Sequence, residues 1–127
     1  MSGTRSTLGR VRHLGSAKDG TAHWWAQRLT AVALVPLALW FAGSVVSLAG
    51  ADHGEFTQWL GRPVNALLMI GFLVATFHHA QLGLQVVIED YVHGEGWRTA
   101  AVMLVKFAAF ALGLASVFAV LKVALGG

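Results

Sequence analysis

The chain has 127 residues, of which 56% are hydrophobic and only 12% charged, a composition far from that of a soluble domain. Nine Lys and Arg outnumber six Asp and Glu, but the basic excess gathers ahead of the first apolar run rather than along a helix that could track a phosphate backbone. It therefore reads as membrane topology and argues against a nucleic-acid partner. With no cysteine, disulfides, thiolate metal sites and cysteine nucleophiles are excluded.

Residues 1–28 form a polar segment carrying Arg5, Arg10, Arg12, Lys18 and Arg28. The remainder, 29–127, holds three apolar runs at approximately 29–50, 64–88 and 100–125. Each reaches the ~20 residues that cross a bilayer core as a helix. In lipid the backbone must satisfy itself, so these runs are predicted to be helical. The fold class is all-α: an integral membrane protein with three transmembrane helices, forming part of a heteromeric helical bundle.

The first run ends in "VSLAGAD", with small residues at a cleavage-like spacing. Its long polar prefix and spanning length make it a retained membrane helix rather than a signal peptide. Pro36 inside it predicts a kink. The connections "ADHGEFTQWLGRP" and "EDYVHGEGWRT" are short and polar, so consecutive helices are expected to be antiparallel neighbours. In the third run Ala109 with Gly113, Ala111 with Ala115, and Ala115 with Ala119 are small pairs four apart, a spacing that allows close helix approach but also occurs in ordinary helix filling.

The charge bias places the N-terminus and the second connection on the cytoplasmic side, because the first connection carries only Arg62 and the C-terminal end only Lys122. The same topology sets Trp24, Trp25 and Trp97 near the cytoplasmic interface and Trp59 near the opposite one, where indoles are favoured.

Ionisable groups inside a membrane run are costly, which makes them functional candidates. His78 and His79 lie nine or ten residues before the end of the second run, about 15 Å below it at 1.5 Å per residue. Neighbouring residues diverge by about 100° around a helix, so one metal cannot take both as opposed ligands. His79 shares a stripe with Gly83, Val86 and Asp90, and Gly83 removes bulk one turn from the imidazole, leaving a place where a flat macrocycle could lie. His78 shares its stripe with Leu82, Gln85 and Glu89, a setting for a structural histidine. Spacing leaves His79 open to two roles, axial ligation or an interhelical hydrogen bond. If iron took two histidines, the second would come from another polypeptide, because none of the other predicted helices contains a histidine. Asp90 and Tyr91 stand about 16 Å along the helix from His79. They suit a quinone pocket, a phenol donating to a carbonyl and a carboxylate orienting an arginine or relaying a proton, and equally an ordinary solvated helix end.

The run "HAQLGLQVVIEDYV", His79–Val92, resembles the motif of the smaller hydrophobic membrane anchor of succinate dehydrogenase (respiratory complex II): His-Ala, a glycine four residues on, then Asp-Tyr. The "LGR" at Leu8–Arg10 and "QRLTAVAL" at the start of the first run extend the likeness. The resemblance implies that His79 is an axial ligand to the iron of a haem b shared with a second membrane anchor. It implies that Tyr91 hydrogen-bonds ubiquinone, that Asp90 supports that site by positioning a partner arginine, and that Arg28, with His23 assisting, lies near the haem propionates. It further implies a non-catalytic member of the complex, resident in the bacterial inner membrane and assembled with the second membrane-anchor subunit, an iron–sulfur subunit and a flavoprotein subunit. Such a chain contacts lipid and serves quinone reduction in the respiratory chain and tricarboxylic acid cycle. The residues themselves also accommodate a haem-free structural anchor, or a proton-relay component built on His79, Glu89 and Asp90.

Overall fold

The computed structural model describes the backbone of residues 2–126 and the side chains of residues 20–126. Arg5, Arg10, Arg12 and Lys18, and the Leu8–Arg10 run, lie outside the described side chains. Four helices follow in order: α1 (Ser2–Ser47), α2 (His53–Leu60), α3 (Pro63–Tyr91) and α4 (Glu95–Ala124). No strand occurs among the described residues. Gly20–Ser47, Pro63–Tyr91 and Glu95–Ala124 are long and apolar enough to cross a membrane, with 28, 29 and 30 residues. At 1.5 Å per residue each measures about 42–45 Å, longer than a hydrocarbon core of about 30 Å, so each tilts or emerges into the headgroups. The chain is a multi-pass membrane protein.

The three spans stand in a row. α3 is central and packs against α1 on one side and α4 on the other, while α1 and α4 do not touch among the described residues. A row has two broad uncovered faces, and the burial pattern follows from that: the buried hydrophobic residues are Leu60, Ala66, Leu82 and Val120. Side chains such as Leu39, Val46 and Phe110 stand exposed. In water such faces would be an aggregation hazard; in a bilayer, acyl chains or neighbouring helices cover them. The α1–α3 seam is closed by Phe41 stacked on Phe72, with centroids 4.6 Å apart. At the α3–α4 seam Gly113 faces the ring of Phe77, and a Cβ placed there would lie 3.7 Å from it, in ordinary contact.

The first connection is more structured than a loop. Gly50 adopts φ +84, a left-handed conformation open to glycine, and reverses the chain after α1. Asp52 then caps α2: its carboxylate accepts from Glu55 N–H at 2.8 Å, and the Glu55 carboxylate accepts from Asp52 N–H at 2.8 Å. α2 packs across the ends of α3 and α4 with Leu60 buried, and Trp59 stacks on Trp40 of α1. Pro63 opens α3 at its first turn, where the missing N–H has no helical partner to lose. Pro36 leaves α1 unbroken.

The second connection is held by Arg98, whose Nε donates to the Val92 carbonyl at 3.1 Å. Trp97 folds over the turn, and a Cβ at Gly94 would stand 3.2 Å from the indole. Trp24, Trp25 and Trp97 thus share one end of the row, and Trp59 marks the other.

Candidate functional site

His79 projects from the middle of α3 toward α1, where its Nδ1 lies 2.9 Å from the Thr30 hydroxyl. That hydroxyl has one proton and can use it within its own helix, donating to the Ala26 carbonyl at 2.8 Å, with the Gln27 carbonyl at 3.1 Å. With that proton on the Ala26 carbonyl, Thr30 accepts from Nδ1–H and the lone pair falls on Nε2; with the hydroxyl proton turned to the imidazole, the tautomer is reversed. Among the described residues the buried polar side-chain atoms without a partner are His23 Nε2 and Thr76 Oγ1, so the unbonded Nε2 of His79 is open to the surface. One turn further on, a Cβ at Gly83 would meet nothing within 4 Å. An imidazole fixed through one nitrogen, with the other nitrogen exposed, can take a further partner on that second nitrogen.

Of the two histidines it is His79 that makes an interhelical hydrogen bond, whereas His78, the residue expected to be structural, turns toward α4 and makes none among the described residues. His78 borders an apolar groove between α3 and α4, with Phe77 and Gln81 beside it on α3. Beyond it Gln81 donates to Gln85 at 3.0 Å and Gln85 to Glu89 at 2.7 Å, an amide ladder ending on a carboxylate.

α1 begins before His23 and α2 opens on His53, so two further helices contain a histidine, contrary to the expectation that none does and to the placement of the first run at 29–50. His23 lies seven residues, about 10 Å, along α1 from Thr30. At Thr30 and His79 the α1–α3 seam is closed to hydrogen-bond distance. His23 Nε2 is buried without a partner. Arg28 is exposed, its guanidinium 5.0 Å over the Trp24 ring. No cluster of three or more His, Asp or Glu able to hold a bare metal ion exists among the described residues.

Asp90 and Tyr91 end α3. Tyr91 is 76% exposed. Asp90 borders a shallow depression with Glu89 of α3 and Arg98, Thr99 and Lys106 of α4. The site residues thus divide into a His79–Thr30 centre at mid-helix and an Asp90–Tyr91 pair at one end, with His23 and Arg28 on α1 toward that same end.

Comparison with known proteins matches residues 3–119 to the model of the succinate dehydrogenase/fumarate reductase transmembrane subunit. The chain belongs to this family. Similar proteins include the succinate dehydrogenase hydrophobic membrane anchor subunits of Rickettsia bellii, 34% identical over 80% of this chain and 82% of the relative, and of Paracoccus denitrificans, 34% identical over 89% and 87%. The succinate dehydrogenase membrane anchor subunit of Reclinomonas americana is 32% identical over 76% of this chain and 83% of its own. No solved structure matches significantly.

Sequence reasoning missed three members of this architecture. Thr30 lies within "QRLTAVAL", and its signal is a hydroxyl in an apolar run; its partner, 49 residues away, depends on helix register. Arg98 sits in the second connection and closes it. Lys106 is a cation inside the third apolar run, a signal in its own right.

Proposed function

We propose that this chain is the smaller membrane anchor of a succinate dehydrogenase in a bacterial inner membrane, with its N-terminus cytoplasmic. In this role His79 supplies one axial ligand to a haem b shared with the second anchor, and Tyr91 and Asp90 form part of the ubiquinone-reduction site. Family membership and the names of the relatives support the anchor role. The observation that carries the haem assignment is the Thr30–His79 bond, which leaves Nε2 as a free donor atom beside the open face at Gly83.

The residues present fit a haem. A single imidazole, His79, would suffice on this chain, because a haem would bring most of its own ligand set and a second protein ligand would come from the partner anchor. The orphaned His23 Nε2 and the exposed Arg28 provide polar and cationic groups for propionates, near the start of the α1 membrane span, where burial of that negative charge would otherwise be costly. When bound, haem b supplies a one-electron carrier. Thr30 keeps the His79 lone pair on Nε2 and fixes the ring plane, because rotating the ring would break the Nδ1–H bond.

At the end of α3 the Tyr91 phenol is positioned to donate a hydrogen bond to a quinone carbonyl arriving from the membrane or from a partner surface, and its exposure permits that approach. Asp90 supports the site by holding an arginine of the partner. Oxidation of succinate belongs to the flavoprotein and iron–sulfur subunits that this chain tethers.

The deciding experiment is the reduced-minus-oxidised spectrum of the complex purified with the wild-type chain and with His79→Ala. The substitution is expected to abolish the haem b band while the other subunits still co-purify. A His79→Ala complex that keeps the band overturns the ligand assignment.

A further inference from the structure

The α3–α4 side of the row carries a feature that neither the His79 centre nor Tyr91 uses. An apolar groove of about 460 Å³ lies between the two helices, floored by Phe77, Phe110, Gly113, Leu114 and Val117. Toward the α3–α4 turn it adjoins the depression, about 560 Å³, bordered by Glu89, Asp90, Arg98, Thr99 and Lys106. Lys106 borders both.

Lys106 stands six residues beyond Ala100, where the apolar run of α4 begins, and so about 9 Å below that point. An ammonium at this depth is costly unless it is paired or reaches the headgroup level along its own stem. Among the described residues it has no hydrogen bond or ion pair, and neither has Asp90. Glu89 is held only by the Gln85 amide. Arg98 commits its Nε to the Val92 carbonyl, leaving its terminal nitrogens free. The depression therefore presents two cations and two anions, largely unpaired, at the mouth of an apolar channel.

That pattern selects among amphiphiles. A purely anionic headgroup would meet Glu89 and Asp90, and a neutral one would leave all four charges unanswered. A headgroup carrying phosphate and ammonium a few bonds apart satisfies both signs at once, with charge-assisted hydrogen bonds from Lys106 and Arg98 to phosphate oxygens. The apolar groove then accepts an acyl chain, and its depth depends on Ala109 and Gly113, which contribute almost no side-chain bulk. We infer that the α3–α4 groove is a binding site for a zwitterionic aminoalkyl phospholipid of the phosphatidylethanolamine class, headgroup on Lys106, Arg98 and Glu89 and one acyl chain along Phe77 and Phe110, with Asp90 left to the quinone site proposed above.

The test uses the full-length protein, extracted from its membrane with the subunits it carries and placed in nanodiscs. The probe is phosphatidylethanolamine bearing a photoactivatable diazirine on one acyl chain. Cross-links are expected on peptides containing Phe77, Phe110 and Leu114, competed by unlabelled phosphatidylethanolamine about tenfold better than by phosphatidylglycerol or diacylglycerol, a difference on the scale of one charge-assisted hydrogen bond. Lys106→Met is expected to reduce groove labelling by a similar factor. If that variant is lost during extraction, the headgroup competition on the wild-type protein decides. Labelling spread evenly over the exposed faces of α1 and α4, equal competition by phosphatidylglycerol, or a groove that takes no label because a neighbouring protein covers it would each overturn the site.

Discussion

His78 and His79 are consecutive on α3, yet they face different seams. Toward α1 the seam is tight: Phe41 stacks on Phe72, and His79 is tethered to Thr30 at 2.9 Å. Toward α4 the helices meet where Phe77 faces Gly113, and beside that contact the surface opens into the groove that His78 borders without a hydrogen bond. The same side chain, at the same depth, is thus held at one seam and loose at the other. What separates the two is the residue across the gap, a hydroxyl on α1 against glycine, alanine and aromatic side chains on α4. A tethered imidazole has one nitrogen committed and one available in a fixed direction, which a ligand to iron requires; a loose one must lose rotamer entropy to act.

The tether can be cut without disturbing packing. Thr30→Val keeps the β-branched shape at the α1–α3 seam but removes the acceptor for the Nδ1–H of His79. We expect haem affinity of the purified complex to fall roughly 10–100-fold, the range seen when partners of metal-ligating histidines are removed, and Thr30→Ser to restore it. Haem-to-protein ratios during titration would show this. Wild-type affinity in Thr30→Val would mean that the hydroxyl only satisfies α1 carbonyls, and the distinction between the two seams would lose its functional meaning.

Much of this arrangement is written in local sequence, and its boundaries show where local sequence stops. The three spans are legible because about 20 apolar residues in a row have one stable state in lipid. The stripe that His79 shares with Gly83 is legible too, and the structure leaves the Gly83 position open. α2 is absent from a reading that treats polar segments as loops, although Asp52 and Glu55 spell a capping box three residues apart. Thr30 is a different case. Its pairing with His79 depends on how α1 and α3 are set against each other, a long-range register that no stripe on one helix contains. The open groove beside His78 is hidden for the same reason: it exists only where α4 places Gly113 against Phe77.

A second contrast runs along α3, between the enclosed seam at His79 and the exposed end at Tyr91. Exposure of 76% leaves the phenol little to do within this chain, so its hydroxyl can be removed at almost no cost to stability. Tyr91→Phe is expected to lower quinone reduction by up to about tenfold, the worth of one hydrogen bond to substrate, while dye-linked succinate oxidation and haem content stay at wild-type levels. Unchanged quinone reduction would remove Tyr91 from the site and leave Asp90 without a neighbour to support.

The smallest effect is the sharpest test of the difference between the seams. His78→Ala removes an exposed side chain that makes no hydrogen bond, and the cost of such a change lies within about 0.5 kcal/mol. Haem content and quinone reduction should therefore remain within about twofold of wild type. The value of so small an effect lies in its neighbour. One residue along α3 is about 100° of rotation, so a helix turned by one position would put His78 where His79 now stands. If His78→Ala erased the haem band, the ligand would be the imidazole facing α4, and the Thr30–His79 bond would be only a clasp between α1 and α3. A silent His78→Ala beside a haem-free His79→Ala fixes the rotation of α3 in the assembled complex, independently of any structure.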